Sequence, residues 1–141
     1  MNTNLKLIKE WIEALRSGKY TQGQSCLRSR GDKFCCLGVL CDITSRKDWE
    51  VVVFDEEYSY YSILEEDSVL PESILNLLNL EERTLTFKIS SENSKLLKIL
   101  ENYEEEDRVS ELGYYDLAQL NDSWELDFSQ IADILEEEFI N

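Results

Sequence analysis

The sequence predicts an α+β fold, and three observations predict it. Apolar residues recur at helical spacing near both ends of the chain, at 5–15 and 128–139. Between them, residues 34–41 are apolar on nearly every side, the pattern of a helix in the middle of a core. A β-branched and aromatic run over about 49–64, WEVVVF followed by YSYYSIL, has the character of a β-hairpin. With 141 residues, 43% of them hydrophobic, a single domain spanning 1–141 around one core is expected.

Taken in order, the first helix carries Leu5, Ile8, Ile12 and Leu15 on one stripe, widened by Trp11, with Lys6, Lys9, Glu10 and Glu13 opposite. Thr3 or Asn2 is placed to cap its start, and Gly18 supplies a left-handed stop. Residues 19–32 are polar, glycine-punctuated and aperiodic, so they are expected to form a loop with one short turn around 25–27. A central buried helix over about 33–46 follows, with Asp32 as N-cap and Phe34, Leu37, Val39, Leu40 and Cys41 in the core. Gly38 inside it implies close approach of another element, because glycine costs about 1 kcal/mol against alanine in an exposed helix.

The hairpin brings Tyr58, Tyr60 and Tyr61 together, for cross-strand packing or for stacking on a ring. Pro71 at the first helical position opens a third helix with Ile74, Leu75, Leu77, Leu78 and Leu80. TLTFKI, a strand over about 84–89, is expected to extend the hairpin into a small antiparallel sheet. Residues 90–103 and 114–120 read as helices. The last helix opens on a capping box, Asp127 with Gln130, and buries Phe128, Ile131, Ile134, Leu135 and Phe139. The expected architecture is thus a small antiparallel sheet packed with the central helix and two terminal amphipathic helices.

Composition narrows the chemistry. There is no histidine, which removes Ser-His and Cys-His nucleophiles and most catalytic zinc sites. Cys35, Cys36 and Cys41 lie in one apolar run, where they cannot easily pair, and CC-x4-C with a distant Cys26 does not match the spacing of a structural zinc site. They read as core thiols of a reducing cytoplasm; Cys35 and Cys36, in the expected first turn, are the two with any setting for a reactive thiolate. No catalytic residue, metal or cofactor is assigned. No apolar run is long enough to span a bilayer, and the N-terminus has the pattern of an amphipathic helix rather than a signal peptide.

The formal net charge is −16, which disfavours direct contact with nucleic acid or an anionic membrane. The charge is uneven. Residues 1–47 carry nine Lys/Arg against four Asp/Glu, a net of +5, whereas residues 48–141 carry five against 26, a net of −21. A site for an anion is therefore sought in the first third, where Tyr20, Gln22, Arg28, Arg30 and Lys33 lie close together in sequence. Asn121 and Asp122 of the LND turn are added as base- or ribose-binding candidates, their other reading being an Asx turn. Asp42 reads as a helix-surface or capping residue.

The segments WIEALRSGKYTQGQSCLR, FCCLGVLCD, LPESI, YYDLAQLNDS and FSQIADILEE together resemble a family of small, largely uncharacterised proteins of bacteriophages and prophages. Residues 81–113 depart from that family's compact pattern and read as an insertion. The resemblance implies an accessory protein in the cytoplasm of an infected bacterium, with counter-defence as a recurring activity of such proteins. Two classes of non-enzymatic function compete. One is sequestration of a small phosphorylated, nucleotide-derived signal by the seven candidate residues, with arginine on phosphate and tyrosine on the base. The other is an acidic inhibitor or nucleic-acid mimic that binds a basic host protein. A metal-dependent hydrolase of a nucleotide signal, built on Asp42 and Asp122, is a third. A homo-oligomer is compatible with each. The basic cluster favours the small anionic ligand.

Overall fold

The computed structural model describes residues 3–24, 26–53, 59–79, 86–88, 114–122 and 126–140. The fold is α+β. Helices α1 (Leu5–Arg16), α2 (Cys36–Ser45), α3 (Glu72–Leu77), α4 (Leu117–Asp122) and α5 (Phe128–Phe139) accompany a five-stranded sheet.

Asn4, rather than Thr3 or Asn2, caps α1: its side chain accepts the Leu7 N–H at 3.1 Å and donates to the Leu77 carbonyl at 2.9 Å. Leu7, Ile8, Trp11, Ile12 and Leu15 share the buried face, while Leu5, expected in the stripe, is 44% exposed. At 100° per residue, positions 7, 8, 11, 12 and 15 form a tighter arc than one including 5. This face packs against α5, which opens on the expected capping box and buries Phe128, Ile131, Ala132, Ile134 and Leu135. Arg16 ties the two helices together from outside, 2.6 Å from Asp133 and 3.1 Å from Glu136.

The sheet contains β1 (Thr21–Gln22), β2 (Arg28–Ser29), β3 (Lys33–Phe34), β4 (Trp49–Val53) and β5 (Ser59–Ile63), in the order β1-β3-β2-β5-β4. The hairpin lies where expected, with Trp49 opposite Ile63 and Val53 opposite Ser59. The sheet is mixed rather than antiparallel, because β1 runs parallel to β3. It also draws two strands, β1 and β2, from the stretch expected to be loop, and a third, β3, from the expected start of the central helix. The turn between β2 and β3 makes this possible: Gly31 and Asp32 take φ of 83° and 56°, and both glycine and aspartate tolerate that left-handed region. Asp32 is therefore a turn residue, not the N-cap of α2. Lys33 and Phe34 are held extended between two strands, so the helix begins only at Cys36.

A strand at β6 (Thr86–Lys88) exists but does not extend the hairpin; it pairs with β7 (Tyr114–Asp116) in a separate antiparallel ribbon. The side of β5 away from β4 is already taken by β2 through Ser29 and Tyr60. The helix expected over 114–120 starts at Leu117, after β7. Pro71 is the N-cap of α3 rather than its first residue. The helix expected over 90–103 lies outside the described residues.

Helix α2 is the centre of the core, with every residue from Cys36 to Asp42 buried. A Cβ built on Gly38 would overlap the carbonyl oxygen of Leu27, so glycine lets the segment before β2 cross the helix backbone in contact. Leu27 is held there by its N–H to the Asp67 carbonyl at 2.7 Å and by its own carbonyl, which accepts the Cys35 N–H at 3.3 Å. Cys35, Cys36 and Cys41 are buried thiols outside any disulfide, and Cys26 is half-buried.

Candidate functional site

The residues expected to form one pocket fall into separate environments. Gln22 and Asn121 belong together, but in the interior. Asn121 is fully buried; its Oδ1 accepts from Gln22 Nε2 at 2.8 Å and from the Cys36 N–H at 3.2 Å, and its Nδ2 donates to the Gly23 carbonyl at 2.9 Å. Gln22 also donates to the Leu126 carbonyl at 2.7 Å. These bonds join β1, the start of α2 and the α4–α5 connection. Asn121 thereby satisfies backbone groups that burial would otherwise leave at a cost of about 1–3 kcal/mol each.

Arg28 occupies the inner side of the sheet. Its guanidinium carbon lies 3.8 Å from the Tyr61 ring centroid, 5.3 Å from that of Phe34 and 5.5 Å from that of Trp49. Its Nε and Nη2 donate to Asp32 Oδ1 at 3.1 and 2.6 Å. Edge-to-face contacts continue this cluster from Tyr20 to Phe34, from Phe34 to Trp49 and from Trp49 to Tyr61. The guanidinium thus contributes cation–π attraction of about 0.5–2 kcal/mol per favourable ring.

Behind the cluster lies Asp42, 7% exposed despite its expected surface role. One oxygen accepts from the Tyr20 hydroxyl at 2.6 Å and from Arg46 at 2.9 and 3.1 Å; the other accepts from Trp49 Nε1 at 3.1 Å. Burial alone would raise the Asp42 pKa, but the donors Tyr20, Arg46 and Trp49 outweigh it and hold the carboxyl below its ordinary value. Burial, then the bond to Asp42, push the Tyr20 phenol above its own. Burial, reinforced by Cys35 and Asp42, also pushes the Cys41 thiol well up, which keeps it protonated.

Lys33 faces the other way. In register, Gln22, Phe34 and Arg28 lie on one row of the sheet, and Thr21, Lys33 and Ser29 on the next, so the side chains of Arg28 and Lys33 point to opposite faces. Lys33 forms no ion pair with the described residues. It borders a shallow polar groove of about 440 Å³ with Gln22, Gly23, Gln24, Ser29 and Asp127. Arg30 is exposed at the β2–β3 turn, and Asp122 ends α4. Of the seven expected residues, the groove unites Gln22 and Lys33.

Sequence reasoning missed the organising roles of Asp32, Asp42, Trp49 and Arg46. One signal was present: Asp42 and Arg46 stand four apart on a helical stretch, the spacing of an ion pair.

The chain belongs to the family described as a domain of unknown function, DUF8296, whose profile matches residues 1–139. No curated protein and no solved structure matches the chain.

Proposed function

We propose that this member of the DUF8296 family is a non-enzymatic binding protein whose acidic surface engages a basic protein, and that it serves as a phage-type accessory factor in the cytoplasm of an infected bacterium. One observation carries the reading: arginines of the basic first third are answered internally. Arg16 pairs with Asp133 and Glu136, Arg28 with Asp32, and Arg46 with Asp42. Arg28, the residue best suited to grip a phosphate, is stacked on aromatic rings and faces away from Lys33. The formal charge of −16 is then available to an external cationic partner, where it accelerates encounter and selects sign. The phage setting rests on the sequence resemblance alone.

The test is capture of a partner from a bacterial host lysate, followed by titration with that partner purified. Binding should collapse between about 0.05 and 0.5 M salt, over which the Debye length shortens severalfold. It should survive Arg28→Ala combined with Arg30→Ala. Salt-insensitive binding, or binding lost in that double variant, overturns the reading.

A second reading is favoured by the groove. Lys33, Ser29 and the side-chain amide of Gln24 are suited to a small phosphorylated, nucleotide-like ligand. A thermal-shift screen against nucleoside phosphates, cyclic dinucleotides and ADP-ribose derivatives tests it. A rise in melting temperature that Lys33→Ala removes would establish it over the first.

A further inference from the structure

The basic partner needs a place to dock, and β4 is an edge strand of the described sheet. It is the terminal strand of the five-stranded sheet, and among the described residues no strand lies beyond it. Its outward groups follow from the ladder. Ile63 exchanges both backbone hydrogen bonds with Glu66, at 2.8 and 2.9 Å, so its N–H and C=O point away from β4. Trp49 and Ile63 are therefore a non-hydrogen-bonded pair, and antiparallel alternation makes Glu50–Ser62 and Val52–Tyr60 the bonded pairs. The N–H and C=O of Val51 are then turned outward, and its side chain is 57% exposed.

Edges of this kind are usually blunted by shortness, proline, lysine or a bulge. The opposite edge, β1, is two residues long. By contrast β4 runs for five residues, WEVVV, with no proline or lysine among them. The charge around it is mainly negative. Asp48 and Glu50 are exposed at its start, and the turn that follows β5 places Glu65, also exposed, at the Trp49 end of the ladder; Lys47 is the one cation adjoining this group in sequence.

We infer that the β4 edge takes up an extended, positively charged segment of a partner protein as an added strand, paired on the backbone of Val51. The inference rests on the proposed acidic-binder function and names its docking site. Main-chain hydrogen bonds supply the pairing, the exposed Val51 side chain a small apolar contact, and the flanking carboxylates select lysine or arginine beside it. A second copy of this chain is a poor occupant, since antiparallel pairing of two β4 edges about Val51 would set the Glu50 side chains of the two copies diagonally across from each other on one face, about 7–8 Å apart.

The probes are end-capped peptides: one alternating lysine with valine or threonine, its glutamate counterpart, and the lysine peptide N-methylated on alternate residues. Each is titrated into the full chain at low salt, with amide exchange read by NMR. The lysine peptide should slow exchange of the Val51 N–H about tenfold or more. The glutamate and N-methylated peptides should not. Val51→Pro removes the outward N–H at an edge position that tolerates proline, and should abolish binding of the lysine peptide, read from amide shifts elsewhere in the chain, with the fold retained. Val51→Lys, which keeps the N–H but adds a like charge to the probe's, should weaken it and serves if the proline variant fails to fold. Equal binding of the N-methylated peptide, or protection that avoids Val51, overturns the added strand while leaving an acidic binder standing. Failure of any lysine peptide to bind overturns both. Val51 protection that grows with protein concentration and no peptide assigns the edge to a second copy instead.

Discussion

Gln22 donates its side-chain amide to the Oδ1 of Asn121 at 2.8 Å, across 99 positions of sequence. The same oxygen receives the Cys36 N–H at the start of the central helix. Removing this side chain leaves the Cys36 donor and the Gly23 acceptor unpaired in the interior. Asn121→Ala should therefore lower unfolding stability by about 3 kcal/mol, measured by urea denaturation. A loss under about 0.5 kcal/mol would show that other groups satisfy them.

Glycine to alanine in a helix interior ordinarily stabilises by about 1 kcal/mol. At Gly38 the sign reverses, because the added methyl would occupy the position of the Leu27 carbonyl oxygen. Gly38→Ala should cost about 3 kcal/mol or prevent folding, as overpacking against backbone allows little relief. Circular dichroism and guanidinium melts distinguish these outcomes from the stabilisation that propensity predicts.

Asp42 has a lower pKa folded than unfolded, so the native state binds that proton less tightly. Its contribution is complete above the unfolded value of about 4 and is lost as pH falls through the lower folded value. The stability gap between wild type and Asp42→Asn should accordingly shrink below about pH 4. Tyr20 is displaced upward. Its contribution is present below about pH 10 and lost as pH rises through the higher folded value, so the gap to Tyr20→Phe should close on the alkaline side. A gap that stays constant across both ranges contradicts the network.

Arg28→Ala removes a guanidinium stacked at 3.8 Å on Tyr61 and leaves Phe34 and Trp49 less covered. We expect a loss of about 1 kcal/mol in stability and a change in tryptophan emission. Arg28→Lys should recover little, because an ammonium lacks the planar face that stacks. Full rescue by lysine would assign the residue's role to charge alone.

Much of the helical frame was legible in the chain itself. The stripes of α1 and α5, the Asp127–Gln130 cap and the hairpin at Trp49–Val53 follow from local rules: one-sided burial imposes a period, and caps satisfy orphan amides within three residues. Gly38 signalled close approach, though not of what. The pocket expected from Tyr20 to Lys33 was another matter. Proximity in sequence concealed that β2 and β3 alternate their side chains, which sends Arg28 inward and Lys33 outward.

What the sequence by itself determined is the set of segments that must be buried and the sign of the surface charge, since both are sums over nearby residues. Only the tertiary structure decided which polar groups meet. Asn121, read as a turn or ligand residue, is a buried junction because Gln22 and Gly23 reach it from nearly a hundred positions away. Strand β6 pairs with β7 and not with the hairpin, whose β5 edge is taken by β2. A hydrogen bond needs a partner at about 3 Å, and no periodicity within a segment states which distant segment the fold will bring there.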